Sequence, residues 1–188
     1  MKISTFITSL VFLCAGMCCP PEPDHNYQNY DFDVPGLISV QNQGQVFNQN
    51  DTLWIKTVIP NTLISENGEE FEINELSENA ENASTILNLY LENSFNQPSP
   101  IILSENEIVP LTGSANYQYD LVITAIAKEN RMENEFGIIL KERGNYFLGA
   151  AYPENPLSFY IDANNYNQIS IKTNFKNQDS DQFRFRVE

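Results

Sequence analysis

The feature that most constrains this chain is the spacing of its apolar residues from Leu37 onward, which is mostly two, with turn-forming residues about every eight to twelve positions. Alternation at period two puts every second side chain on one face of an extended strand and suits no helix. TLWIKTVI, residues 52 to 59, sets Leu53, Ile55 and Ile59 on one face and Trp54, Lys56 and Val58 on the other. QFRFRV, residues 182 to 187, turns Phe183, Phe185 and Val187 inward and Arg184 and Arg186 outward, so the chain is expected to end in a paired strand. YQYDLVITAI, residues 117 to 126, reads as one central strand with Tyr119, Leu121, Ile123 and Ala125 on a shared face, and TILNLYLE, residues 85 to 92, reads as one half-buried strand. SENGEE, residues 65 to 70, carries Asn67-Gly68 at a hairpin tip, and FEIN returns from it. KENRMENE, residues 128 to 135, reads as a polar connection, and FGIIL, KERG and NYFLGAAY together read as a hairpin-like unit. The expected fold is all-β, an antiparallel β-sandwich, with a closed β-barrel as the alternative.

Ahead of this domain the sequence changes character. Lys2, an apolar run from Ile3 to Leu13 and the small residues Ala15 and Gly16 have the layout of a secretory signal peptide. The run is shorter than the roughly 20 apolar residues of a spanning helix. All three cysteines, Cys14, Cys18 and Cys19, lie in residues 1–19, so the rest of the chain has no thiol for a disulfide, a nucleophile or a metal. Residues 20–36 hold four prolines and four acids and read as an extended tether. They include His25, the protein's single histidine, which leaves Ser-His-Asp, Cys-His and multi-histidine metal chemistry without a histidine in the domain, residues 37–188. Neither a metal nor a cofactor is expected. Asp162-Ala163-Asn164-Asn165 and Asp179-Ser180-Asp181 offer oxygen ligands for calcium, yet they have ordinary turn composition.

The chain carries 25 acidic and 10 basic residues, a formal net charge of −15, which disfavours nucleic acid and anionic lipid surfaces as partners. The acids gather in turns such as Glu69-Glu70, and no carboxylate pair stands out for glycoside hydrolysis. Among the aromatics, Trp54, Tyr117, Tyr152, Tyr160 and Tyr166 are candidates for stacking on a ligand, Trp54 reading more readily as sheet packing.

Three resemblances add to this reading. Glu142-Arg143-Gly144-Asn145-Tyr146 resembles the tyrosine corner of immunoglobulin-like sandwiches, in which the hydroxyl bonds backbone at the sheet corner. Asp51-Thr52-Leu53 resembles the acceptor of the O-glycosylation system of Bacteroidota envelopes, with Thr52 as the modified residue. The leader, the Pro-rich acidic tether, the NDTLWIKTVIP strand and the ERGNYFL unit together resemble the small uncharacterised envelope lipoproteins of that group. That resemblance implies lipid attachment at Cys19, with Cys18 as the alternative, in a loose lipobox. It also implies an outer-membrane location, periplasmic or surface-facing, and an envelope protein or glycan as partner. Cleavage near Gly16 and secretion is the alternative. The expected function is a non-catalytic binding or assembly role; a carbohydrate-binding module is the second expectation and a carboxylate glycosidase the third.

Overall fold

The computed structural model describes residues 28–41, 44–77, 80–93, 95, 97–162, 167–176, 178 and 180–188. The leader with Cys14, Cys18 and Cys19, residues 20–27 of the tether with His25, Tyr166 and parts of both calcium-type turns lie outside the described residues.

The first strands are β1 (Asn29–Asp33), β2 (Ile38–Val40), β3 (Val46–Phe47) and β4 (Thr52–Pro60). A small hairpin, β5 (Thr62–Ile64) and β6 (Glu70–Glu72), leads into one helical turn, α1 (Ile73–Leu76). Then come β7 (Asn82–Ile86), β8 (Asn88–Glu92), β9 (Pro98–Pro100), β10 (Ile108–Thr112), β11 (Ser114–Tyr117), β12 (Leu121–Lys128) and β13 (Arg131–Ile139). The last four are β14 (Gly144–Gly149), β15 (Leu157–Asp162), β16 (Gln168–Thr173) and β17 (Phe183–Val187). They form a ten-stranded sheet in the order β1-β16-β15-β7-β12-β13-β4-β2, with β10 on β13 and β11 on β12, and a five-stranded sheet in the order β3-β17-β14-β8-β9. Only β1–β16 and β17–β3 pair in parallel among the named strands. The chain is thus an all-β, largely antiparallel sandwich.

The larger sheet has to curl. Its two edge strands, β1 and β2, are consecutive in the chain, and the five steps from Asp33 to Ile38 reach at most about 18 Å. Eight strands laid flat would separate those edges by roughly 34 Å. The curl is completed by a parallel bridge between Ile38 and Phe175, with the Lys176 N–H donating to the Ile38 carbonyl at 2.9 Å. The sandwich therefore has one barrel-like layer, and the five-stranded sheet shares its core.

The alternation in the sequence supplies the core between the layers. Leu53, Ile55 and Ile59 of β4, Leu121, Ile123 and Ala125 of β12 and Phe159 and Ile161 of β15 are fully buried. Leu148 of β14 and Phe183, Phe185 and Val187 of β17 meet them from the smaller sheet. The terminal strand is paired on both sides, by β14 and β3. At the sandwich corner the Tyr146 hydroxyl donates to the Glu142 carbonyl at 2.8 Å, the immunoglobulin-like bond expected from residues 142 to 146. The hairpin at residues 65 to 70 is also present, with Gly68 at φ +84°.

Several expectations fail. Residues 85 to 92 are not one strand: β7 belongs to the large sheet and β8 to the small one, and the chain changes layers at Leu87. Residues 117 to 126 are likewise broken by a turn at 118 to 120, which leaves Tyr119 91% exposed instead of facing the core. The supposed connection 128 to 135 is largely strand, since β12 and β13 turn back at Glu129-Asn130 and Met132, Glu133 and Asn134 are buried. Segments 136–140 and 145–152 do not form a hairpin, because β13 and β14 lie in different sheets. FEIN leaves extended structure after Glu72 and enters α1. Finally, β1 falls inside the stretch read as tether: Tyr30 and Phe32 alternate with Asp31 and Asp33, Phe32 is buried, and its ring meets Phe71 edge-on at 5.8 Å.

Candidate functional site

Three strands of the large sheet, β7, β12 and β15, run side by side, and on their outward face Ser84, Ile86 and Ser158 are half-buried while Val122 and Tyr160 are exposed. Tyr160 lies opposite Ser84, and Val122 lies opposite Ile86. Ser158, two residues before Tyr160, shares its face. Residues 150 to 156 rise beside this face before entering β15 and carry Tyr152 with them. The result is an open groove of about 390 Å³, within the range of ordinary ligand pockets. Its walls are Ile86, Val122, Ala150, Ala151 and Pro156, with Tyr152 65% and Tyr160 51% exposed. Polar groups come from Ser84, Ser158 and Asn155, and no lining side chain is charged.

The wall that carries Tyr152 is held from below. The Tyr90 hydroxyl lies 2.9 Å from the Ala150 carbonyl and 2.6 Å from that of Ala151, sharing its proton between them. Gln182 donates its side-chain N–H to the Pro153 carbonyl at 3.0 Å, and the Asn155 N–H closes a turn onto the Tyr152 carbonyl at 2.9 Å. Burial pushes the Tyr90 hydroxyl above its ordinary pKa, against a lowering from the Asn88 side chain, so it stays a donor at neutral pH. On the floor, the Ser84 and Thr124 hydroxyls are 3.1 Å apart and bond to each other.

Of the described aromatic candidates, the structure brings Tyr152 and Tyr160 together and separates Trp54 and Tyr117 from them. Tyr152 and Tyr160 line the groove. Tyr117 is part-buried against the core in β11. Trp54 is part-buried on the outer face of β4 opposite Gly137. Thr52, the residue in the O-glycosylation-type triplet, begins β4 and is half-buried opposite Ile139; Asp51 before it accepts the Asn48 N–H at 2.7 Å and closes the preceding turn. Sequence reasoning missed Ile86, Val122 and the 150–156 wall. An outward apolar residue at period two was the available signal for the first two.

Other hollows are less suited to a ligand. One of about 330 Å³ lies over the smaller sheet beside Arg184 and Arg186. Arg184 is engaged by Glu92 and sits 5.1 Å above the Phe147 ring, and Arg186 pairs with Glu188 at 3.5 Å. A cavity of about 70 Å³ lies under residues 101 to 103. Among the described residues, no three of His, Cys, Asp and Glu gather as a metal site, and no helix is long and apolar enough to cross a membrane.

No family model and no curated protein matches the chain. Similar solved structures are the human F-spondin reeler domain (TM-score 0.38, 9% identity, 90% of this chain and 100% of that one) and the Reelin-N domain of F-spondin (TM-score 0.34, 10% identity, 86% and 93%). An ASH / PapD-like domain of human CEP192 follows at TM-score 0.27 and 8% identity, covering 85% and 91%. At such distances function has to be argued from the site itself.

Proposed function

We propose that this chain is a lipid-anchored, non-catalytic binding domain of a bacterial cell envelope, with the tyrosine groove as its ligand face. The observation that carries the binding role is the groove: an uncharged concavity bordered by two exposed tyrosines on the outer face of a well-packed sandwich. The same groove favours a carbohydrate-binding module as the second reading, because Tyr152 and Tyr160 share it. A carboxylate glycosidase is the weaker one, since hydrolysis needs two acids about the scissile bond and the groove lining supplies neither.

Anchoring is supported by the leader and its cysteines. Two or three acyl chains on Cys19 would hold the protein to a bilayer nearly permanently, each buried CH₂ adding about 0.8 kcal/mol. Labelling cells with radioactive palmitate tests this. The expected result is a labelled protein in the membrane fraction that loses its label, and leaves the membrane, when Cys18 and Cys19 both become Ala. An unlabelled protein, or a double variant that stays in membranes, overturns lipid attachment; wild-type protein in the medium points instead to secretion.

A further inference from the structure

The chemistry of the groove lining is narrower than binding in general. Two phenol rings with half or more of their surface in water offer flat apolar faces. Beside them stand the hydroxyls of Ser84 and Ser158 and the Asn155 amide, groups that both donate and accept hydrogen bonds. The groove is open to solvent on one side, so an entirely apolar occupant would leave part of its surface in water and gain only part of its transfer free energy. A pyranose ring has the matching division: a C–H face to lay on a ring and hydroxyl edges that accept either a protein partner or water.

Charge narrows the class again. The lining is neutral while the protein carries −15, so a polyanionic chain meets repulsion from the surrounding surface and no lining cation to offset it. We propose that the groove binds a neutral saccharide chain, stacked on Tyr152 and Tyr160 and hydrogen-bonded by Ser84, Ser158 and Asn155. This rests on the reading of the chain as a binding domain whose ligand face is this groove. The wall that carries Tyr152 is bonded to Tyr90 and Gln182 before any ligand arrives, which lowers the ordering cost of binding. The site also faces a suitable direction. Asn29, which opens β1 near the start of the described chain, is level with Gln168 and Asp162 at one end of the sheet, whereas Ser158, Ile86 and the 150–156 wall extend toward the other end. A domain held by its N-terminus presents the groove away from the anchor.

The test is an array of neutral and acidic oligosaccharides probed with the full domain. It is followed by titration calorimetry with the best neutral hexasaccharide and with hexagalacturonate, and by fluorescence of N-phenyl-1-naphthylamine as an uncharged apolar probe. The expected result is binding of a neutral chain, weakened at least tenfold by Tyr160→Ala and by Tyr152→Ala and unchanged by Trp54→Phe, with each variant's fold checked by circular dichroism. Equal or tighter binding of hexagalacturonate overturns the proposal, as does neutral-chain binding indifferent to both tyrosine substitutions. If the apolar probe binds in a Tyr160-dependent way and no saccharide does, the saccharide proposal falls and the ligand face stands. If neither probe nor saccharide binds, both fall.

Discussion

At Gly137 a side chain has no room. A Cβ there would stand 2.5 Å from the Thr52 methyl and 3.0 Å from two carbons of the Trp54 ring, so the missing side chain lets the indole lie across the backbone of β13. Trp54 is thereby a packing residue that covers a glycine, one of the devices by which sheets seal a gap between strands. Gly137→Ala is expected to cost about 1–3 kcal/mol through forced displacement of that ring. Because Trp54 is the protein's single tryptophan, the change is read directly as a shift of its emission together with an earlier urea midpoint. The alternation around residue 54 was legible in the sequence, as was the Tyr146 corner bond. The pairing of Trp54 with a glycine more than eighty residues away was not, because nothing local to either residue records it.

At the scale of elements, the decisive event is the change of sheet at Leu87. Period-two alternation runs unbroken through residues 85 to 92, so the sequence shows a single strand. What splits it is Asn88, 4% exposed, whose side-chain oxygen accepts the Leu121 N–H at 2.8 Å and whose amide donates to Asp120 at 2.6 Å. The first satisfies the buried backbone N–H that opens β12, and together they tie the crossover to the turn ahead of that strand. Asn88→Ala strands the buried Leu121 N–H, with an expected loss of about 1–3 kcal/mol by chemical denaturation. Asn134 plays a related part: its amide donates to the Ser114 and Thr124 carbonyls at 2.8 and 2.9 Å, clamping β11 onto the splaying β12–β13 hairpin. Asn134 sits in a segment whose polarity suggested a connection, and Asn88 in a strand that reads as half-buried. Composition records that a residue is polar, whereas only its neighbours decide whether the polarity is spent on water or on backbone.

Over the whole molecule, a strongly acidic chain leaves nearly all its described carboxylates in contact with water and pairs Glu133, the one it buries among the described residues. Burial alone would raise its pKa, but the Lys128 hydrogen bond and the charges of Arg131 and Lys56 outweigh it and hold the carboxyl below its ordinary value. A carboxyl whose pKa is lower folded than unfolded adds stability above its unfolded pKa and gives it up as pH falls through the folded value. Wild type should therefore exceed Glu133→Gln in stability by about 1 kcal/mol near pH 7. The gap should narrow from about pH 4.5 downward, where the unfolded carboxyl protonates, and close once the folded one does too. Urea titrations of both proteins across that range check it, and a gap that widens on acidification would show the carboxylate to be destabilising.

The sequence by itself determined the all-β class, the inward-facing residues of β4, β12 and β17, the paired C-terminal strand and the corner at Tyr146. Each follows from a short-range rule: the alternation of side chains along a strand, or the reach of one hydroxyl over four residues. The tertiary structure alone decided which strand joins which sheet, that the larger sheet curls, and that Ser84, Val122, Tyr152 and Tyr160 meet in one groove. Those depend on hydrogen-bond ladders between segments dozens of residues apart. A period of two says which face of a strand looks inward and nothing about the strand beside it.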